Sequence, residues 1–132
     1  MKLIVCLDDR NGMAFHNRRQ SSDLTVTKKI VELVRGHKLW MSSYSGYLFA
    51  DFPENIQIDD DFLSNAPNDD FCFAEVSDIR SAISKVQELY VFRWNRTYPC
   101  DLFFPNIPGK SQFLAEFTGN SHEKITLEVY RL

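Results

Sequence analysis

The run KLIVCL, Lys2–Leu7, constrains this chain more than any other stretch. It is almost continuously apolar and gives way at once to DDRNG, the pattern of a central strand buried on both faces and feeding a turn. Asn11-Gly12 in that turn tolerates positive φ. A helical repeat follows, with Val26, Ile30, Leu33 and Val34 on one face. Ser22 or Asp23 can cap that helix, because their oxygens accept from otherwise unpaired N–H groups, and Gly36 ends it. A buried strand followed by an amphipathic helix is the opening of an α/β fold.

The remaining chain extends this pattern. Met13–Ser22 is polar and reads as a loop carrying Arg18 and Arg19. HKLWM reads as a second strand, and Ser42 or Ser43 can cap a short helix bearing Tyr44, Tyr47 and Leu48 that Pro53 breaks. ENIQI is a short strand, and Asp59–Asp70, with five acids and a proline, a solvated loop or an irregular turn. FCFAEV reads as a strand, and Ser77 as the cap of a helix burying Ile79, Ala82, Ile83 and Val86. ELYVFRW is a further strand, in which Leu89 and Val91, with Phe103 and Phe104 beyond, read as buried on the sheet. Gln112–Phe117 and Lys124–Arg131, separated by TGNSH, read as a hairpin. The expectation is one α/β domain over residues 1–132: a single mixed β-sheet, about three flanking helices and a C-terminal antiparallel hairpin.

Composition narrows the function classes. With 132 residues the chain can bury a core of its own. Its net charge of −3 argues against broad attraction to nucleic acid. Cys6, Cys72 and Cys100 are odd in number, widely spaced and without metal spacing, so they read as small buried residues of a reducing compartment. The apolar run at the start is shorter than a signal peptide requires, and no stretch approaches the roughly 20 apolar residues of a membrane helix. A cytoplasmic protein without membrane contact is expected. His16, His37 and His122 are isolated and read as structural or surface residues, so no metal is expected. A His16–His122 pair with Lys124 or Arg18, as in a ribonuclease, is the chemical alternative.

The order of these segments resembles dihydrofolate reductase along most of the chain. LIVCLDDRNGMAF is similar to that family's first strand and Gly-bearing loop, SDLTVTKKI to its first helix, and KLWMSSYSGYLF and DFPENIQI to the segments after it. ELYVFRWNRTYPCDLFFP and EFTGNSHEKITLEVYRL resemble its closing strands. The resemblance implies a reductase fold, with Asp23 where those enzymes place the carboxylate that hydrogen-bonds the pterin. Asp23 is therefore the expected catalytic group if the chain is an enzyme, and a helix cap otherwise. Ser42 and Ser43 stand where the family has a Gly and then an Arg for the cofactor phosphates. Glu54 stands where an Arg clamps the folate tail, an acid facing an anion. The family's Gly-Gly pair is absent, and Arg93-Trp94-Asn95 falls where a dinucleotide would pass. A truncated, degenerate relative holding no cofactor is expected.

The remaining candidates are binding residues. Arg18 and Arg19 follow the first strand, while Arg93, Trp94, Asn95 and Arg96 end another. Ligands gather at the carboxyl ends of strands in α/β sheets, so both groups are expected on one rim. Arginine offers paired donors to phosphate or carboxylate, and tryptophan a stacking face. The alternative is that the arginines pair with Asp8, Asp9 and Asp101 while Trp94 packs in the core. The expected function is a non-catalytic inhibitor or adaptor that binds a protein or nucleoprotein partner, of the kind phages and other mobile elements carry. The rivals are an oxidoreductase with a reshaped nicotinamide or pterin site using Asp23, and a nucleic-acid-binding protein or nuclease using the Arg/Trp rim.

Overall fold

The computed structural model describes residues 1–132. In chain order the elements are β1 (Lys2–Leu7), β2 (Gly12–Phe15), β3 (Arg18–Arg19), α1 (Leu24–Leu33), β4 (Leu39–Met41) and α2 (Ser43–Gly46). They continue with β5 (Ile56–Ile58), α3 (Phe62–Asn65), β6 (Phe71–Phe73), β7 (Glu88–Arg93), β8 (Leu102–Phe103), β9 (Ser111–Phe117) and β10 (Ile125–Arg131). Seven strands form one mixed sheet in the order β5-β4-β6-β1-β7-β10-β9. β1 lies between β6 and β7 and is parallel to both, while β10 runs antiparallel to β7 and to β9.

The strand period explains how one apolar run serves two cores. Leu3, Val5 and Leu7 face a cluster with Phe62, Ile79, Val86, Met13 and Phe104. Ile4 faces the other side, against Val26, Ile30 and Val34 of the α1 region and Phe49. Each fully buried aliphatic side chain contributes about 2 kcal/mol. α1 begins at Asp23, whose side chain accepts from the Thr25 N–H, and the chain leaves through Gly36 at φ 86°. Ser42 caps α2, and a 3₁₀ turn at Tyr47–Phe49 prolongs it.

Three readings need correction. Met13–Ser22 is a hairpin rather than a loop: β2 and β3 pair across His16 and Asn17, both at positive φ, the geometry that suits a two-residue turn. With β8 they make a small three-stranded sheet beside the main one. Phe103 lies in that sheet and is exposed, while Phe104 is buried. Second, Ser77–Val86 is not an α-helix. It carries Ile79, Ala82 and Val86 into the core through successive i→i+3 turns. Its backbone bonds run from Ala82 N–H to Ile79 O, Lys85 N–H to Ala82 O and Val86 N–H to Ile83 O, each reaching back three residues rather than the four of an α-helix. Third, the third helix is α3, within the acidic segment read as a loop; Phe62 anchors it in the core.

Candidate functional site

The carboxyl ends of β1, β6 and β7 meet the start of α1 and the loop after β9 around a cleft lined by Cys6, Asp23, Glu75 and Trp94. Two voids remain there, each of about 10 Å³, room for one water at most. The chain's own polar groups fill the rest.

Arg19, delivered by β3, forms a two-pronged ion pair with Glu75 just beyond β6, Nε to Oε2 at 2.8 Å and Nη2 to Oε1 at 2.9 Å. Ser45 Oγ donates to the same carboxylate at 2.8 Å, and the Arg19 guanidinium lies 4.4 Å from the Tyr44 ring centre. The Glu75 side chain is 8% exposed, so its charge is compatible with burial only because every donor is in place.

Beside this pair, Asp23 has a wholly buried carboxylate. It accepts from the N–H groups of Thr25, Asn120 and Ser121, all at 2.9 Å, from Ser121 Oγ at 3.1 Å and from His122 Nδ1 at 2.9 Å. Burial alone would push this carboxyl up. The donors from Asn120, Ser121, His122 and Thr25 outweigh burial and hold it far below the usual carboxylate range. Gly119 passes so close that a Cβ there would collide with the Asp23 carboxylate. The far side of the His122 ring contacts Ser21 Oγ at 3.1 Å and Tyr98 Oη at 3.0 Å through Nε2. Trp94 stacks on the same imidazole at 4.5 Å between ring centres. Aspartate, histidine and serine are thus aligned as in a proton relay, but Tyr98 and Trp94 close over the histidine and leave no volume for a substrate.

The sequence-derived binding residues divide accordingly. Arg19 and Trp94 are cleft-filling groups. Arg93 ties the sheet to the turn after β1: its guanidinium pairs with Glu128 at 2.9 Å and donates to Asn11 Oδ1 at 2.6 Å. Asn95, at φ 56°, donates to the Lys124 carbonyl at 3.2 Å. Arg18 and Arg96 are exposed and make no side-chain hydrogen bond or ion pair. The arginine partners are Glu75 and Glu128, not Asp8, Asp9 and Asp101. Asp8 instead organises the turn, accepting from the N–H groups of Gly12, Arg10 and Tyr98 and from Gln20. His16 is exposed and stacks on Phe15, whereas His122 is enclosed, so the two do not form an open pair.

At the α2 N-terminus, where the resemblance places cofactor phosphates, Ser43 donates through both N and Oγ to Asp60 Oδ1, at 2.9 and 3.0 Å. An internal carboxylate occupies the anion position of that helix end. Glu54 lies with Asp51 on a separate cavity of about 310 Å³ between α1 and the segment before β5. Sequence reading missed Glu75, Ser45 and Tyr98, and gave His122 only as a structural or surface residue or as half of a pair with His16. Only Glu75 carries a local signal, as a charge at the end of the apolar run FCFAEV.

No family model and no curated protein matches the sequence. Among solved structures the chain is similar to dihydrofolate reductase from Enterococcus faecalis complexed with NADP(H) and RAB-propyl. The superposition has a TM-score of 0.63 and covers 98% of this chain and 95% of that one. The fold is that of dihydrofolate reductase. At 13% identity the likeness concerns the fold alone, and the reductase-like frame here surrounds a cleft plugged by its own side chains.

Proposed function

We propose that this protein is a binding protein built on a reductase-like frame, an inhibitor or adaptor that acts on a macromolecular partner through its outer surface. One observation carries the proposal: in the cleft of Cys6, Asp23, Glu75 and Trp94 at the carboxyl ends of the central strands, where α/β sheets seat ligands, only voids of about 10 Å³ remain. Arg19–Glu75 and Trp94–His122 take the space a planar ligand would need, and all the hydrogen-bonding capacity of Asp23 is spent inside the chain. The placement of Arg19, Arg93 and Trp94 within the fold likewise weighs against a nucleic-acid platform on that rim, leaving Arg18 and Arg96 as its free cations.

Titrating NADPH while recording tryptophan emission tests this reading. Trp94 borders the cleft, so the expected result is a loss of emission no greater than NADPH absorption causes in free N-acetyltryptophanamide measured alongside. Saturable quenching at micromolar concentration would restore the oxidoreductase reading with Asp23.

A further inference from the structure

Two cavities lie away from the plugged cleft, on either side of Pro53 and Ile56. One, of about 420 Å³, has an apolar lining that includes Gly46, Tyr47, Phe49, Ala50 and Ile58. The other, of about 310 Å³, adds Val31, Val34 and Phe52 and is rimmed by Asp51, Glu54 and Arg35. Tyr47 is 83% and Ile58 45% exposed, both large side chains left in water.

The groove runs beside β5, the outermost strand of the main sheet. Asn55 O accepts from Leu39 N and Asp59 N donates to Met41 O, so alternate residues of this stretch turn their backbone toward β4. Ile56 and Ile58 therefore turn theirs outward. Pro53 O takes the Ile56 N–H, which leaves the Ile56 carbonyl and both Ile58 groups open to a further strand. Their side chains lie on the same face as Leu39 and Met41, the face of the groove. The opposite edge differs: β9 is broken by a register shift against Leu127 and Glu128, a device that discourages pairing.

Charge identifies the occupant. Asp51 and Glu54 rim the groove and Asp61 follows the strand, and none of these carboxylates has a hydrogen-bond or ion-pair partner. Arg35 is the one cation on the lining. A segment laid along this edge meets outward backbone groups, an apolar trough on one face and uncompensated negative charge at both ends.

We propose that the β5 edge and its groove bind an extended, cationic peptide segment of a partner protein, which pairs with Ile56–Ile58, sets an apolar side chain beside Tyr47 and Ile58, and places Lys or Arg against Asp51 and Glu54. This rests on the binding-protein reading and names the chemistry of its partner. The pairing is short, so the trough supplies most of the grip, and an affinity on the order of micromolar follows.

The test is selection from a random octapeptide display library on the intact protein, with the winners mapped by backbone amide shifts. Enriched peptides should alternate apolar residues with Lys or Arg, lack proline, and shift Ile56–Ile58. The double variant Asp51→Asn, Glu54→Gln, which alters only exposed side chains, should weaken them about tenfold at low salt and less at high salt. No enrichment, peptides without cation excess, shifts elsewhere, or affinity unchanged in the double variant would overturn the inference. So would self-association through this edge, detected as a dimer that Ile58→Lys dissolves. These outcomes leave the NADPH titration unaffected, so the two readings fail separately.

Discussion

Removing Arg19 is the sharpest perturbation of the plug. In Arg19→Ala, Glu75 keeps its Ser45 hydroxyl but loses two charge-assisted hydrogen bonds, at 2.8 and 2.9 Å, in a place with little access to water. Stripping one partner from a buried ion pair costs about 3–5 kcal/mol. Arg19 is 23% exposed, so water repairs part of the loss, and about 3 kcal/mol is expected. Glu75→Ala should cost about 2 kcal/mol, because the freed guanidinium can rehydrate and keeps its contact with Tyr44. The double variant leaves neither charge stranded and should cost about 3 kcal/mol, well short of the sum, for a coupling of about 2 kcal/mol. For a chain of this size, 3 kcal/mol corresponds to a fall in Tm of about 12 °C. Urea unfolding followed by tryptophan emission measures all four corners of the cycle. If Arg19→Ala costs under about 1 kcal/mol and the coupling vanishes, the pair is a mobile surface contact and the plug argument fails.

Asp23→Ala should destabilise by about 4 kcal/mol, since it strands the His122 imidazole and the N–H groups of Asn120 and Ser121, and calorimetry will show whether the loss falls below about 2. Gly119→Ala should be nearly as harmful through its clash with the Asp23 carboxylate, measured in the same way. On the acid side, Asp23 and Asp8 both have lowered folded-state pKa values. Their stabilisation is therefore complete above the unfolded value near about 3.9 and is lost as pH falls through the folded values. Urea midpoints should fall below about pH 4, and by less in Asp23→Asn. On the alkaline side, burial pushes the Cys72 thiol up to about 12 and raises Cys6 as well. Each stays protonated in the fold while the unfolded thiol ionises, so stability should decline above about pH 8.5, and Cys72→Ala should flatten that decline.

The frame was readable because its signals are local. KLIVCL could only be a central strand, and the Val26, Ile30, Val34 spacing could only cover one face of the sheet. Ser77–Val86 misled because its apolar spacing fits a helix, while its backbone bonds close three-residue turns that bury the same side chains. The hairpin at His16-Asn17 was missed because its turn lacks the glycine that usually marks positive φ. The site was less legible. Arg19 and Trp94 were recognised as unusual, yet their roles depend on Glu75 and His122, distant in sequence and brought close only by the strand order. Asp23 was assigned both its possible tasks, and its burial beneath Asn120, Ser121 and His122 is a tertiary fact.

The central claim is that the reductase-like cleft is occupied by the protein's own side chains. The Trp94 indole N–H resonance in a ¹⁵N-labelled sample, followed as NADPH is raised to about 5 mM, reports on that cleft directly. The account predicts a resonance that does not move. A saturating shift with a midpoint in the micromolar range would contradict it.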